Sequence, residues 1–143
     1  MIHPTAIIEG EIGEGTKVWA FSHVSRGAKI GKNCVIGEGV HIGPKVTVGD
    51  NCRIQNHAQI FEGVHIGDSV FVGPCVCFTN DKEPDLSKPF EITKTYVGDK
   101  AVICANVTII CGNGIGAGCL IGAGSVVTKS VLPFKKVYGN PAR

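Results

Sequence analysis

The sequence is poor in aromatic side chains, with one Trp, two Tyr and six Phe among 143 residues, although 43% of it is hydrophobic. Its apolar content is mainly Val, Ile and Ala, which suits strands around a narrow, regular interior and not a broad core of large side chains. Charge of one sign is also lacking. The formal net charge is +2 and no basic run occurs, which argues against nucleic acid as a partner. No apolar stretch reaches the length of a membrane span and no charged-then-apolar leader is present, so the expectation is a cytoplasmic protein without a membrane partner. None of the seven Cys falls in C-x-x-C spacing, Cys75 and Cys77 forming a lone C-x-C. In a reducing compartment such a set needs no disulfide framework. The length leaves room for one domain, residues 1–143.

Repetition is what the chain has in excess. Aliphatic residues stand at Ile12, Val18, Val24, Ile30, Ile36, Ile42, Val48, Ile54, Ile60, Ile66 and Val72, with Phe78 closing the run, every step being six. A second run follows at Val97, Ile103, Ile109, Ile115, Ile121 and Val127. Helical spacing would be three and four, so the period excludes an amphipathic helix. Four residues after each aliphatic comes a small or compact one, such as Thr16, Ser22, Ala28, Cys34 or Cys52 in the first run and Ala101, Val107, Asn113 or Ser125 in the second. It lies two before the next aliphatic, so both point into the core of a short strand. Gly commonly follows the aliphatic (Gly31, Gly37, Gly43, Gly49 and others), where a sharp corner is expected to need a residue without Cβ. Three strands and three corners close a coil of 18 residues. The fold class is therefore all-β, a parallel β-helix of roughly seven coils stacked at ~4.8 Å.

Residues 18 apart stack, which maps the outward side chains into columns: His23, His41, Gln59 and Cys77; Lys29, Thr47 and His65; Lys17, Val35, Arg53 and Phe71. The third column, with Val35 and Phe71, reads as a subunit interface. The two runs are out of phase by 13 extra residues within 79–96, a segment with two prolines and a cluster of charges. An insertion in a repeat protein must loop out from a corner, and such loops form binding sites.

The pattern aliphatic-Gly-x-x-small-x over repeats 12–78 and 97–131, with the external loop 79–96, resembles the hexapeptide-repeat acyltransferases. That resemblance implies a left-handed coil, a homotrimer and acyl-CoA as donor. Gly73-Pro74, Phe78-Thr79-Asn80-Asp81, Ile54-Gln55-Asn56-His57 and Phe61-Glu62-Gly63-Val64 are similar to transferases that acetylate the amine of nucleotide-linked 3-amino sugars, precursors of lipopolysaccharide O-antigens and other surface glycans. The ending, 121–129 and then Tyr138-Gly139-Asn140-Pro141-Ala142-Arg143, is shared widely among acyltransferases of this kind. Implied with it are acetyl-CoA as cosubstrate, no metal, a nucleotide-linked amino sugar as acceptor and direct transfer between the two.

The same resemblance supplies site residues. Asn80 is expected to orient the sugar, with Glu62 or Asp81 holding its amine or a hydroxyl and Gln55, Asn56 and Thr79 contacting the acceptor. His57 has the residue type and pKa range of a general base, a role worth on the order of 10²–10⁴-fold in rate. Relatives commonly carry an amide there, and the alternative is that His57 hydrogen-bonds the acceptor while the departing CoA thiolate takes the proton. Asn80 stacks on Glu62, 18 residues earlier, whereas His57 lies on a different corner, so the site is expected between subunits. After Asp81 the sequence departs from the pattern: Lys82, Glu83, Pro84 and Asp85 stand where an apolar residue, a Pro and a diphosphate-contacting Arg are expected. For CoA, corner amides around Ala105, Gly122 and Ala123 suit the pantetheine arm. Lys129, Lys135, Lys136 and Arg143, with Asn140 and Pro141 among them, suit its phosphates.

Two other readings share the fold. A γ-class carbonic anhydrase needs two zinc-binding His five apart, a spacing that His3, His23, His41, His57 and His65 do not provide. A non-catalytic scaffold would have no affinity for acetyl-CoA.

Overall fold

The structure, a computed structural model, describes residues 1–143. Nineteen short strands and no helix wind into three parallel sheets of seven, five and seven strands. Up to Thr108–Ile109 successive strands visit the three sheets in turn, so Lys17–Val18, His23–Val24 and Lys29–Ile30 lie one on each, and Val35–Ile36 returns above Lys17–Val18. This is the parallel β-helix expected from the six-residue period, left-handed as the resemblance implies. We name its faces by their outward residues. The histidine face carries His23, His41, Gln59, Cys77, Thr108 and Val126. The tyrosine face carries Lys29, Thr47, His65 and Tyr96. The apolar face carries Lys17, Val35, Arg53, Phe71, Val102 and Leu120.

The register confirms the phase shift. Neighbours within a run are 18 residues apart, as in Arg53↔Phe71, whereas Phe71↔Val102, Cys77↔Thr108 and His65↔Tyr96 are 31 apart. Two boundaries differ from the sequence reading. Thr95–Val97 forms a strand, so Thr95 and Tyr96 belong to the tyrosine face and the external loop ends at Lys94. Lys136–Val137 adds a further strand on the apolar face, beyond the expected end of the repeats at 131.

The core is one cluster of 30 buried residues, in which Phe78 is the largest fully covered side chain. Where the compact position is polar, its hydroxyl or thiol donates to a carbonyl of the next coil: Thr16 to Gly31 and Ser22 to Gly37 at 2.6 Å, Cys34 to Gly49 and Cys52 to Gly67 at 3.1 Å. Buried polar groups need such partners, and the two thiols are core donors. The neighbouring Cys34 thiol and burial push the Cys52 thiol above its usual range. Three positions differ: Asn113 is half-buried and turned to the Ile110 carbonyl, Ser125 donates to Gly122 within its own coil at 2.6 Å, and the buried Thr95 hydroxyl has no partner.

The corner glycines serve a different purpose from the one expected. Gly31, Gly43, Gly67 and their equivalents have ordinary φ, but a Cβ there would lie within 2.7 Å of the next coil. Close coil stacking, not backbone freedom, excludes a side chain. The left-handed residue comes two positions later, at Asn33, Asn51, His57, Ser69 and Cys75 among others.

Candidate functional site

The loop leaves the edge between the histidine and tyrosine faces, and Asn80 holds its base. The Asn80 Nδ2 donates to the Glu62 carbonyl one coil below at 3.0 Å, and the Asn80 carbonyl accepts from the Thr93 amide at 2.9 Å. One residue thus ties both limbs of the loop to the prism. Asn80 and Glu62 meet as the 18-residue stacking requires, though through the Glu62 backbone, which leaves the half-buried Glu62 carboxylate without a partner in the chain. Thr79 braces the loop against the coil above: its Oγ1 accepts from the Cys111 amide at 2.9 Å and reaches the Ile109 carbonyl. Asp81 is half-buried at the mouth of a cup of about 510 Å³ formed by the loop. The cup is lined by Asp81, Glu83, Asp85 and Glu91 against Lys82 and Lys88, so its field favours cations. Within it Asp85 is fixed by the Ser87 hydroxyl and amide and by Lys88, which hold its carboxyl below the usual range.

His57 lies across the histidine face, on the edge between that face and the apolar one. It adopts φ 61 and its ring is exposed. The Nδ1–Cε1 side of the ring packs over Gly39, where a Cβ would come within 2.5 Å of Nδ1. That turns the rest of the ring outward, and no side chain of the chain bonds it. Asn56, beside it, is partly structural: its Oδ1 accepts the Glu38 amide at 2.9 Å, leaving Nδ2 and one oxygen lone pair for a ligand. Gln55 is half-buried. One chain does not bring His57 and Asn80 together.

The amides expected for the donor lie above His57 on the same edge. The N–H groups of Ala105 and Ala123 donate to no carbonyl of the chain, so both are available. Gly122 is not: its N–H donates to Val137 at 2.9 Å, and the Tyr138 ring covers its Cα. The ending folds back over the last coil, with reciprocal Tyr138 and Arg143 backbone bonds and the Ala142 amide on Val126. Asn140 and Pro141 lie exposed at the tip of this cap. Lys129, Lys135, Lys136 and Arg143 all sit on that coil and are exposed, but they do not converge. Lys129 is on the loop edge, Lys135 and Lys136 lie at and beyond the edge between the tyrosine and apolar faces, and Arg143 is in the cap. Proximity in sequence places them on one coil of the prism and distributes them around it.

Matches to known proteins fit this geometry. The bacterial transferase hexapeptide family (six repeats) matches residues 9–44 and 27–62, and the hexapeptide repeat of succinyl-transferase matches 95–111 and 112–131. The chain is 52% identical over 144 residues to dTDP-3-amino-3,6-dideoxy-alpha-D-galactopyranose 3-N-acetyltransferase of Aneurinibacillus thermoaerophilus, spanning 99% of this chain and 75% of that protein. The chain belongs to the bacterial hexapeptide-repeat transferases. Among solved structures, this hexapeptide-repeat transferase is similar to a hexapeptide-repeat-containing acetyltransferase from Vibrio cholerae, with a TM-score of 0.70 and 27% identity over 93% of this chain and 70% of that one. A variant of GDP-perosamine N-acetyltransferase from Caulobacter crescentus, solved with CoA and GDP-perosamine, has a TM-score of 0.74 at 22% identity, over 99% of this chain and 54% of that one. At that identity the likeness is one of fold.

Sequence reasoning missed the upper tyrosine face of the transferase. The ring of Tyr96 stacks on His65, centroids 5.2 Å apart and planes 23° apart, and His65 Nδ1 is bonded to Thr47 Oγ1 at 2.8 Å. Removing the 13 inserted residues would have extended the column Lys29, Thr47, His65 to Tyr96 and then Gly114. Assigning Tyr96 to the loop hid it.

Proposed function

We propose that this transferase N-acetylates the amine of a nucleotide-linked amino sugar, a 3-amino-hexose or its uronate, with acetyl-CoA as cosubstrate. It acts as a cytoplasmic homotrimer in surface-glycan synthesis, without a metal. The observation that carries the reading is the 52% identity, across nearly the whole chain, to an enzyme of that activity. The disposition of the edges supports it. Val35, Phe71, Val102 and Leu120 form a half-exposed apolar column suited to subunit contact. Packing there lets the His57 edge of one subunit meet the Asn80 edge of the next.

Acetyl-CoA supplies the activated thioester. The Ala105 and Ala123 amides hold its pantetheine arm on the His57 edge, and the exposed Lys136 and Arg143 of the last coil screen its phosphates. On the loop edge, Asn80 Oδ1 and the Glu62 or Asp81 carboxylate accept from the sugar amine and hydroxyls, fixing the amine for attack. As the C–N bond forms and the C–S bond breaks, His57 Nε2 takes the ammonium proton and the thiolate leaves.

A thiol-release assay with acetyl-CoA against dTDP-, UDP- and GDP-linked 3-amino and 4-amino hexoses tests the proposal. Release with a nucleotide-linked 3-amino hexose is expected. No release with any sugar, together with no CoA-dependent thermal shift, would replace it with the scaffold reading.

A further inference from the structure

We propose that Tyr96 is the stacking platform for the nucleobase of the acceptor, in a glycine-floored groove on the upper tyrosine face; this rests on the acceptor being nucleotide-linked. One face of the Tyr96 ring is taken by His65, which Thr47 fixes in turn. The outward position above it is Gly114, so the other face is bare. The groove over it has a volume of about 400 Å³, and Tyr96, Gly114, Gly116, Ala117, Leu132 and Pro133 line it.

Gly114 is unusual among the glycines of the chain. Each other one either has φ in the left-handed region or would press a Cβ within 3.0 Å of a neighbour, whereas a Cβ on Gly114 would meet only Ser130 Oγ, at 4.0 Å. Neither backbone conformation nor coil packing requires a glycine there. What a side chain at this position would do is cover Tyr96. A base stacked on an aromatic ring needs that space, and every base offers a π-face for it.

Charge identifies the rest of the ligand. Lys94 and Lys129 stand on one edge of the groove and Lys100 and Lys135 on the other, all exposed. The loop cup, by contrast, is lined by four carboxylates against two Lys and would repel a diphosphate. The base and phosphates therefore lie on the tyrosine side of Asn80, with the sugar at the Asn80–Glu62 corner and Lys94 beside the diphosphate between them. Lys94 then stands in for the diphosphate-contacting Arg that is missing after Asp81. The donor's adenine is the less suitable occupant, because the free Ala105 and Ala123 amides lie on the edge opposite this face.

Calorimetric titration of dTDP, UDP, GDP and CoA into the wild type, Tyr96→Ala, Tyr96→Phe and Gly114→Val decides the matter. The nucleoside diphosphate that binds best should weaken about 5- to 100-fold in Tyr96→Ala and Gly114→Val, and Tyr96→Phe should regain most of the loss. CoA binding should be the same in all four proteins. Position 114 has room for a Cβ, and melting temperatures separate a lost platform from misfolding in both variants. Weakened CoA binding with nucleoside diphosphates unaffected would give the platform to the donor. No change in either ligand, or no nucleoside diphosphate bound by the wild type, would remove it. The titrations need no turnover, so they decide the platform even where the thiol-release assay rejects the activity.

Discussion

Replacing His57 by Asn separates chemistry from structure at the proposed proton acceptor. The residue sits at φ 61, a conformation Asn tolerates better than any other non-glycine residue, and its exposed ring makes no hydrogen bond within the chain. The fold should lose little. Asn still donates and accepts hydrogen bonds but cannot take a proton, so the loss isolates the basic nitrogen. If His57 Nε2 receives the ammonium proton, kcat falls by about 10²–10⁴-fold, with KM for the acceptor changing much less. Steady-state kinetics, with melting temperatures alongside, make the measurement. A loss below about tenfold would refute the assignment. It would leave the thiolate as the proton acceptor.

Ala123→Pro removes one of the two free N–H groups assigned to the pantetheine arm. Gly43-Pro44 and Gly73-Pro74 already place proline at the equivalent corner position, so the turn accepts it. The Kd for CoA should rise about 5- to 10-fold, and an unchanged Kd would dismiss the contact. Phe78→Ala empties the largest fully buried side chain just below the loop. It should cost about 3–5 kcal/mol, or roughly 10–15 °C in melting temperature for a chain of this size; a shift below about 3 °C would mean that the coils collapse around the gap. Burial, and secondarily the His23 charge, lower the His41 pKa in the fold. The unfolded chain then takes the proton first as pH falls, so this contribution to stability is present above about pH 6.5 and lost below it. Melting temperature should drop further between about pH 7.5 and 5.5 in the wild type than in His41→Gln, and equal drops would reject the effect.

The fold was legible because its period is enforced twice. Coil stacking allows only glycine at Gly31, Gly49 or Gly67, and the interior admits one aliphatic and one compact residue per strand, so any slip leaves a polar group buried. The site was legible only in part. The Asn80–Glu62 stacking follows from counting, but counting does not distinguish a side chain that waits for a ligand from one that braces the backbone. Thr79 and Asn56 each brace a backbone group, because carbonyls and amides at every corner compete for nearby polar side chains. The four cations near the end looked like a cluster for a related reason. In a coil of 18 residues, 15 residues of sequence are most of one circuit around the prism.

That circuit has a consequence for catalysis that can be counted. His57 and the free Ala105 and Ala123 amides share one edge, whereas Asn80, Glu62 and the loop occupy the next, with a full face between them. In a closed three-fold assembly each site takes its His57 edge from one subunit and its Asn80 edge from a neighbour. Homotrimers of His57→Asn and of Asn80→Ala should both be nearly inactive. In a trimer assembled from equal amounts of the two, a site is intact when the His57 edge comes from an Asn80→Ala subunit and the Asn80 edge from a His57→Asn subunit. Random mixing makes that about one site in four. Two-tag purification removes both homotrimers, and every mixed trimer has one intact site in three, so the thiol-release assay on co-expressed, doubly tagged trimers should recover about a third of wild-type activity. Were both residues to act from the same subunit, no mixed site would hold an intact pair. Activity would then stay at the level of the inactive parents, and the edges would have to be reassigned.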